Sequence, residues 1–192
     1  EPAPPRPLAP SRAGGEEPAT RSPLGEDRGA AFLRGRLVHR LLQSLPTVAP
    51  ERRAAIARRF LARPIHGLDA AAQEAMLRET LSVMEHPDFA PLFAPGSAAE
   101  VPVVGLVGGR ALAGQIDRLV VTPDAVLIVD YKTLRPVPHS VGEVPPAYLD
   151  QLAAYRAAVA AVYPGKTVRC ALLWTDEPAL MPVPAEALQA HG

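Results

Sequence analysis

The sequence predicts an α/β fold built on a mixed β-sheet. Apolar residues recur at helical spacing in the first half of the chain, residues 99–133 have the pattern of three successive strands, and one more helix and strand follow. Successive strands joined by tight turns pair antiparallel, whereas a strand–helix–strand connection favours a parallel pair. With 192 residues, the chain is long enough for one domain with a substantial core.

The N-terminal segment, residues 1–26, is predicted to be a disordered linker. It contains seven prolines and hardly any large apolar side chain, so it cannot bury enough surface to order itself. Residues 27–192 are predicted to form the folded domain. Because the chain begins at Glu1 and not at Met, we expect it to be a piece of a longer protein.

Three helices are predicted before the strands. The helical apolar pattern of residues 28–45 ends at Pro46. A second helix is predicted at about 50–62 and a third at about 69–85, with Asp69 as its N-cap. The second and third helices form a helical insertion between the first helix and the sheet.

The later elements follow from strand patterns and turn residues. They are strands at 99–107, 110–121 and 125–133, a helix at about 146–163, and a strand at 167–175. Gly108-Gly109 is a strong hairpin signal between the first two strands. The sequence PGKT at 164–167 resembles the end of a phosphate-binding loop, but it precedes a strand where such a loop would follow one. No nucleotide site is predicted.

Composition excludes several classes of site. The net charge is zero, so no overall field indicates a nucleic-acid or membrane partner. The arginine-rich segment 28–78 fits a solvated helical surface better than a phosphate-facing one. The single cysteine, Cys170, excludes an iron–sulfur cluster or four-cysteine zinc site held by this chain alone, and it is expected to be a small buried side chain. No apolar run is long enough to span a bilayer, and a reducing cytosol is the expected location.

The stretch LIVDYKT, residues 127–133, carries an acid and a lysine at the end of a buried strand. A turn centred between Pro123 and Asp124 would place Asp117 opposite Asp130, with Cβ atoms roughly 4.5–5.5 Å apart. Alternation then puts Lys132 on the same face as both acids. Two carboxylates this close are expected to raise each other's pKa.

The residues themselves allow two interpretations of Asp117, Asp130 and Lys132. A divalent cation such as Mg²⁺ or Mn²⁺ would relieve the repulsion between the acids, and the lysine would neutralise charge on a phosphate, an arrangement suited to phosphodiester cleavage. Alternatively, Asp117 pairs with Arg118 or Arg110, and Asp130 with Lys132, as ordinary surface ions.

Other positions contribute to the same hypothesis. His39 lies one helical turn after Gly35, which is expected to clear space beside the imidazole. Gln151 and Tyr155 lie one turn apart in the late helix. Glu100 opens the first strand and points either toward the same site or into water.

Together these residues resemble the RecB-like branch of the PD-(D/E)XK nuclease superfamily, and most closely the C-terminal nuclease domain of AddA-type helicase–nucleases. The resemblance extends from about Arg28 to the C-terminus. It rests on six blocks in order: GRLVHRLL (35–42), AEVPVVG (99–105), GQIDRLVV (114–121), LIVDYKT (127–133), YLDQLAAY (148–155) and YPGKTVRCALLWT (163–175). It implies the PD-(D/E)XK core with its sheet flanked by helices.

The resemblance implies a role for each matching residue. The metal ligands that the resemblance implies are His39, Asp117, Asp130, the backbone carbonyl of Tyr131 and Glu100. Lys132 would place or activate the attacking water. Gln151 and Tyr155 match a helical element that lies beside the active site and the DNA strand.

The resemblance also implies partners. Such domains use Mg²⁺, with Mn²⁺ as a substitute, to hydrolyse single-stranded DNA fed from helicase domains upstream in the same chain. They act in the bacterial cytoplasm with an AddB-type partner subunit, during processing of double-strand ends for recombination. The alternatives are a silent DNA-binding or docking module with the same fold, and a stand-alone exonuclease.

Overall fold

A computed structural model describes residues 28–107 and 110–191 of the chain. The predicted linker and the predicted Gly108-Gly109 turn lie outside the described residues. The first helices are α1 (Arg28–Ser44), α2 (Pro50–Leu61) and α3 (Ala70–Glu85). As predicted, Asp69 caps α3, because its Oδ1 accepts a hydrogen bond from the N–H of Ala72 at 2.7 Å.

The described strands form one five-stranded mixed sheet. They are β1 (Ser97–Val107), β2 (Arg110–Val121), β3 (Ala125–Lys132), β4 (Thr167–Trp174) and β5 (Ala179–Val183), which lie side by side in that order. β3 and β4 are parallel and are joined through α4 (Pro146–Val162), whereas the other neighbours are antiparallel. The predicted α/β class and mixed sheet are confirmed.

Two elements near the C-terminus were missing from the sequence prediction. They are β5 and the short helix α5 (Ala185–Gln189). Pro182 lies within β5, opposite Ala171 of β4. An edge strand tolerates a proline because one side of its backbone has no partner strand, whereas the same proline weakens the strand pattern in the sequence.

The sheet separates two apolar cores. On one face, α4 and α5 pack against side chains that include Ile128, Leu172 and Trp174. On the other face, α1 and α3 pack against Val129 and Leu173. This three-layer arrangement leaves β3 buried on both faces. Among the described helices, none has the length and apolar character needed to cross a membrane.

Candidate active site

The pairing of β2 with β3 has the register predicted from the turn. The paired residues run as far as Arg118 opposite Val129, which makes Asp117 and Asp130 the next opposed positions. The backbone ladder ends there. Beyond that point the two strands are joined by a side chain, since Oδ2 of Asp117 accepts a hydrogen bond from the N–H of Tyr131 at 2.7 Å. The two acids therefore lie where β2 and β3 begin to separate.

Lys132 lies among three groups from two elements. Its Nζ is 2.6 Å from Oδ2 of Asp130 on the same strand and donates a hydrogen bond to Oε1 of Gln151 on α4 at 3.0 Å. It also lies 3.9 Å from the ring centre of Tyr148. Both charged side chains are buried, so the pair of Asp130 with Lys132 is internal and not the surface ion pair that the simpler reading expected.

His39 reaches Asp117 from α1. Its Nδ1 lies 3.4 Å from Oδ1 of Asp117. Arg118 does not compete for this acid, since its guanidinium donates hydrogen bonds to the hydroxyl of Tyr131 at 3.1 Å and to the carbonyl of Leu42 at 3.0 Å. Among the described side chains, the cationic partner of Asp117 is thus His39. The side chain of Arg110, the other predicted partner, lies outside the described residues.

The role predicted for Gly35 was wrong in its detail. A Cβ at this position would lie 3.1 Å from Oγ1 of Thr133, which directly follows β3. The glycine therefore lets α1 approach the end of the strand, and the neighbour it accommodates is Thr133 and not the imidazole of His39.

Glu100 occupies an unusual backbone position. It lies opposite Asp117 in the register of β1 with β2, but the two are not paired, and its φ of 53° is in the left-handed region. In a regular strand, side chains an odd number of residues apart point to opposite faces of the sheet. Ile116 and Leu119 are three residues apart yet pack in the same core, so the alternation of β2 is interrupted between them. The left-handed backbone of Glu100 therefore lies opposite the point where the side-chain alternation of β2 is interrupted.

The pKa values of the two aspartates are shifted in opposite directions. Burial raises the pKa of Asp130, and the nearby charge of Asp117 adds to this against the opposing effect of Lys132. Burial also acts to raise the pKa of Asp117, but the charge and hydrogen bond of His39 and the N–H of Tyr131 outweigh it and leave this pKa lowered. The expectation that each acid raises the pKa of the other is thus correct only for Asp130.

The pKa values of both cationic partners are shifted in the direction that favours the charged form. Burial acts to lower the pKa of Lys132, but the carboxylate of Asp130 outweighs it and leaves the pKa raised. In the same way, Asp117 outweighs burial and raises the pKa of His39. Lys132 is therefore an ammonium group in this arrangement and acts as a donor of hydrogen bonds and positive charge.

A cleft of about 620 Å³ contains most of the predicted site. The predicted residues that line it are His39, Glu100, Asp117, Asp130, Lys132 and Gln151. Tyr155 is buried behind them, where its hydroxyl accepts hydrogen bonds from the backbone N–H of Gln115 at 3.1 Å and from Nε2 of Gln151 at 3.4 Å. The side chain of Tyr131 faces the helical core. Only its backbone was predicted to take part.

Comparison with known proteins identifies the family. The model for the PD-(D/E)XK nuclease superfamily matches residues 14–189. The chain belongs to this superfamily. Asp130, Tyr131 and Lys132 have the (D/E)XK pattern from which the superfamily takes its name.

Two further comparisons add little to this assignment. The crystal structure of SSO0001 is 15% identical and covers 81% of each chain, with a TM-score of 0.35. No curated protein matches the chain.

PD-(D/E)XK nucleases typically use divalent metal ions such as Mg²⁺. Across residues 28–107 and 110–191, no three His, Cys, Asp or Glu side chains are grouped closely enough to hold a metal ion. The donor chemistry nevertheless fits, because carboxylate oxygens suit a hard cation. Oδ2 of Asp130 is buried and accepts no hydrogen bond of ordinary geometry from the described residues. His39 and Lys132 neutralise the acids in this arrangement.

A buried polar network beneath the site was not predicted. Arg34 on α1 donates hydrogen bonds from Nε and Nη2 to Glu79 on α3 at 3.0 and 3.1 Å, and from Nη1 to the carbonyl of Thr133 at 3.2 Å. The hydroxyl of Thr175 also donates to Glu79. The backbone N–H of Thr175 donates to the carbonyl of Lys132 at 3.0 Å. The network therefore ties the end of β3 to both helices.

Proposed function

We propose that this PD-(D/E)XK domain is a Mg²⁺-dependent nuclease that hydrolyses the phosphodiester bonds of single-stranded DNA. The observation that supports this proposal is the convergence of Asp117, Asp130 and Lys132 on one cleft. An ammonium group beside two carboxylates provides what phosphodiester hydrolysis needs, namely anionic ligands for a cation and a positive charge for the phosphate.

The roles of the side chains follow from their positions. Asp117 and Asp130 would hold the cation, with His39, Glu100 and the carbonyl of Tyr131 as the further proposed donors. Bound Mg²⁺ would act as a Lewis acid on the phosphodiester oxygens. Lys132, held as an ammonium group, donates a hydrogen bond to a phosphate oxygen or orients the attacking water, and it does not remove a proton from that water.

Gln151 and Tyr155 are proposed to position Lys132. The amide of Gln151 accepts a hydrogen bond from Nζ and in turn donates to the Tyr155 hydroxyl. This chain of contacts fixes the direction of the ammonium group from α4.

The direct test is cleavage of a labelled single-stranded oligonucleotide with Mg²⁺ or Mn²⁺. We expect cleavage by the wild type and none by Asp130→Ala or Lys132→Ala, each with a circular dichroism spectrum like that of the wild type. Glu74→Ala, on the exposed surface of α3, serves as the matched control and should cleave normally. Cleavage by Lys132→Ala at the wild-type rate would rule out the assigned role.

At a finer level, we propose that the domain works as part of an AddA-type helicase–nuclease. The support is the resemblance of the six sequence blocks, together with the predicted linker at residues 1–26. In this proposal the strand arrives from upstream helicase domains of the same chain, with an AddB-type subunit as partner, during processing of double-strand ends in the bacterial cytoplasm. Co-purification of the full-length chain with such a subunit tests this level separately.

A silent DNA-binding or docking module is the second candidate. The observation in its favour is that each acid already has an internal cation, His39 for Asp117 and Lys132 for Asp130. Metal titration separates the two candidates. A nuclease should gain thermal stability from Mg²⁺ or Mn²⁺, and Asp130→Asn should lose most of that gain, whereas a silent module should show no gain with either protein.

A further inference from the structure

The wall of the cleft formed by α1, α2 and the turn after α2 has features that the catalytic residues do not explain. Phe32 lines the cleft with 59% of its surface exposed, although it belongs to neither core. Phe60 and His66 also line the cleft and contact each other, with ring centres 4.9 Å apart. Phe32 is thus exposed without a role in either core, whereas Phe60 and His66 are half-buried at the cleft and Phe60 also packs against the helical core.

The same wall carries positive charge. Arg36 and Arg40 are exposed, line the cleft and lie one helical turn apart on α1. Neither forms an ion pair with any residue in the described ranges. The guanidinium of Arg36 lies 5.8 Å from the ring centre of Phe32. An arginine beside an exposed ring is a common surface for a stacked base and its phosphate.

The charges of the cleft are arranged by depth. The acids Asp117 and Asp130 are at its base, whereas Arg36 and Arg40 lie on an exposed helical surface. A strand bound along the wall would have its phosphates near the arginines and one phosphodiester close to the acids and Lys132. This complementarity favours a polyanion over a protein partner.

We infer that this wall binds an unpaired DNA strand, with bases stacked on Phe32 and on the pair of Phe60 with His66, and phosphates held by Arg36 and Arg40. The inference rests on the proposed function, since the ligand is the proposed substrate. It adds the residues that select single strands, because only unpaired bases expose the faces that stack on aromatic rings.

Binding is measured by fluorescence anisotropy with a labelled oligo(dT) in EDTA, so that cleavage plays no part. We expect Phe32→Ala to weaken binding roughly 5- to 150-fold, the range for loss of one stacked base. Phe60→Leu retains apolar packing but removes the ring, and it should weaken binding in the same direction. The same sequence in a duplex should bind more weakly to the wild type than the single strand does.

The contribution of Arg36 and Arg40 is measured by the salt dependence of binding, with a matched control variant. Arg36→Gln and Arg40→Gln should each reduce the dependence of log Kd on log salt concentration by about 0.7, the value for one phosphate contact with a single strand. Arg78→Gln, an exposed arginine on α3 that does not line the cleft, should leave this slope unchanged. An equal loss in Arg78→Gln would mean that general charge, and not this wall, binds the strand.

Hydrolysis of bis(p-nitrophenyl) phosphate with Mn²⁺ by the wild type separates the two proposals, because this small phosphodiester tests the metal-dependent chemistry without a bound strand. Arg78→Gln, outside the cleft, should hydrolyse it and bind oligo(dT) as the wild type does, whereas Phe32→Ala should lose affinity for oligo(dT). If the wild type binds the single strand but hydrolyses neither substrate, the proposed nuclease activity fails and the strand-binding wall stands. Binding of oligo(dT) by Phe32→Ala as tightly as by the wild type overturns the inference.

Discussion

Replacing Glu79 with alanine is expected to destabilise the protein severely although Glu79 does not line the cleft. This carboxylate accepts two hydrogen bonds from Arg34 and one from Thr175. Only 10% of the Arg34 side chain and 5% of the Glu79 side chain are exposed. The substitution would leave the guanidinium buried, with the carbonyl of Thr133 and the more distant Asp176 as its remaining partners.

The expected cost follows from that burial. Removing one member of a buried ion pair costs about 3–5 kcal/mol. Here the guanidinium of Arg34 loses its main partner, and Asp176, at 3.5 Å and shared with Arg135, compensates the charge only in part. For a protein of this size, each kcal/mol lowers the melting temperature by roughly 2–4 °C, so a fall of roughly 6–20 °C is expected. Replacing both partners, as in Arg34→Met with Glu79→Leu, should recover much of the loss, since no unpaired charge remains.

Glu74 on the same helix provides the control. It lies 3.9 Å from Arg58, and 62% of the arginine and 48% of the glutamate side chain are exposed. Glu74→Ala should therefore cost no more than about 1 kcal/mol. Urea denaturation followed by circular dichroism measures both variants. Equal midpoints for Glu79→Ala and Glu74→Ala would refute the argument that the buried pair stabilises the fold.

Three further predictions concern single side chains. In the folded protein the pKa of His39 is raised and that of Asp117 is lowered. The ion pair between them therefore stabilises the metal-free fold fully between about pH 4 and 6.5, the ordinary pKa values of the two groups. This stabilisation is lost as the pH rises through the folded-state pKa of His39 or falls through that of Asp117. Melting curves in EDTA should show a fall in stability above neutral pH that His39→Asn lacks, and identical pH profiles would contradict this. Tyr155→Phe removes the hydroxyl that accepts from the N–H of Gln115, and a loss of about 1–3 kcal/mol is expected in urea denaturation; an unchanged midpoint would argue against the contact. Burial raises the pKa of Cys170 to about 12, so Ellman's reagent should label it only after unfolding, and rapid labelling of the native protein would show that the strand opens.

The register of the acids could be predicted because a local turn determines it. The N–H of Thr122 donates to the carbonyl of Ala125 at 2.8 Å, and the hydroxyl of Thr122 accepts from the N–H of Ala125 at 3.1 Å. A turn this tight fixes which residues of β2 and β3 are opposite, and the alternation of side chains then fixes their faces. The sequence therefore brings Asp117, Asp130 and Lys132 together through short-range rules.

The network beneath the site follows no short-range rule. Arg34 and Glu79 are 45 residues apart, and Glu79 and Thr175 are 96 residues apart. In the sequence, Glu79 is one charged residue in an amphipathic helix, and such residues are usually exposed. Its burial results from the packing of α3 against α1 and the sheet, which periodicity does not reveal.

The pKa of Asp117 shows the same limit at shorter range. Two opposed carboxylates predict mutual repulsion, and for Asp130 the predicted rise is present. For Asp117 the sign is reversed by His39, which belongs to a helix that the strand pattern does not position. The direction of a pKa shift depends on every charged or hydrogen-bonding neighbour of the group, and the sequence identifies only the neighbours on the same hairpin.

The placement of β3 between two cores restricts how this site can change during evolution. Successive side chains of β3 point to opposite faces of the sheet. Val129 and Tyr131 pack in the core beneath α1 and α3, whereas Asp130 and Lys132 face the cleft. Deleting or inserting one residue upstream in the strand would exchange these assignments, burying charge among apolar side chains and presenting valine and tyrosine to the substrate. Point substitutions can silence the chemistry and leave the architecture intact, but a change in strand length would remove both together.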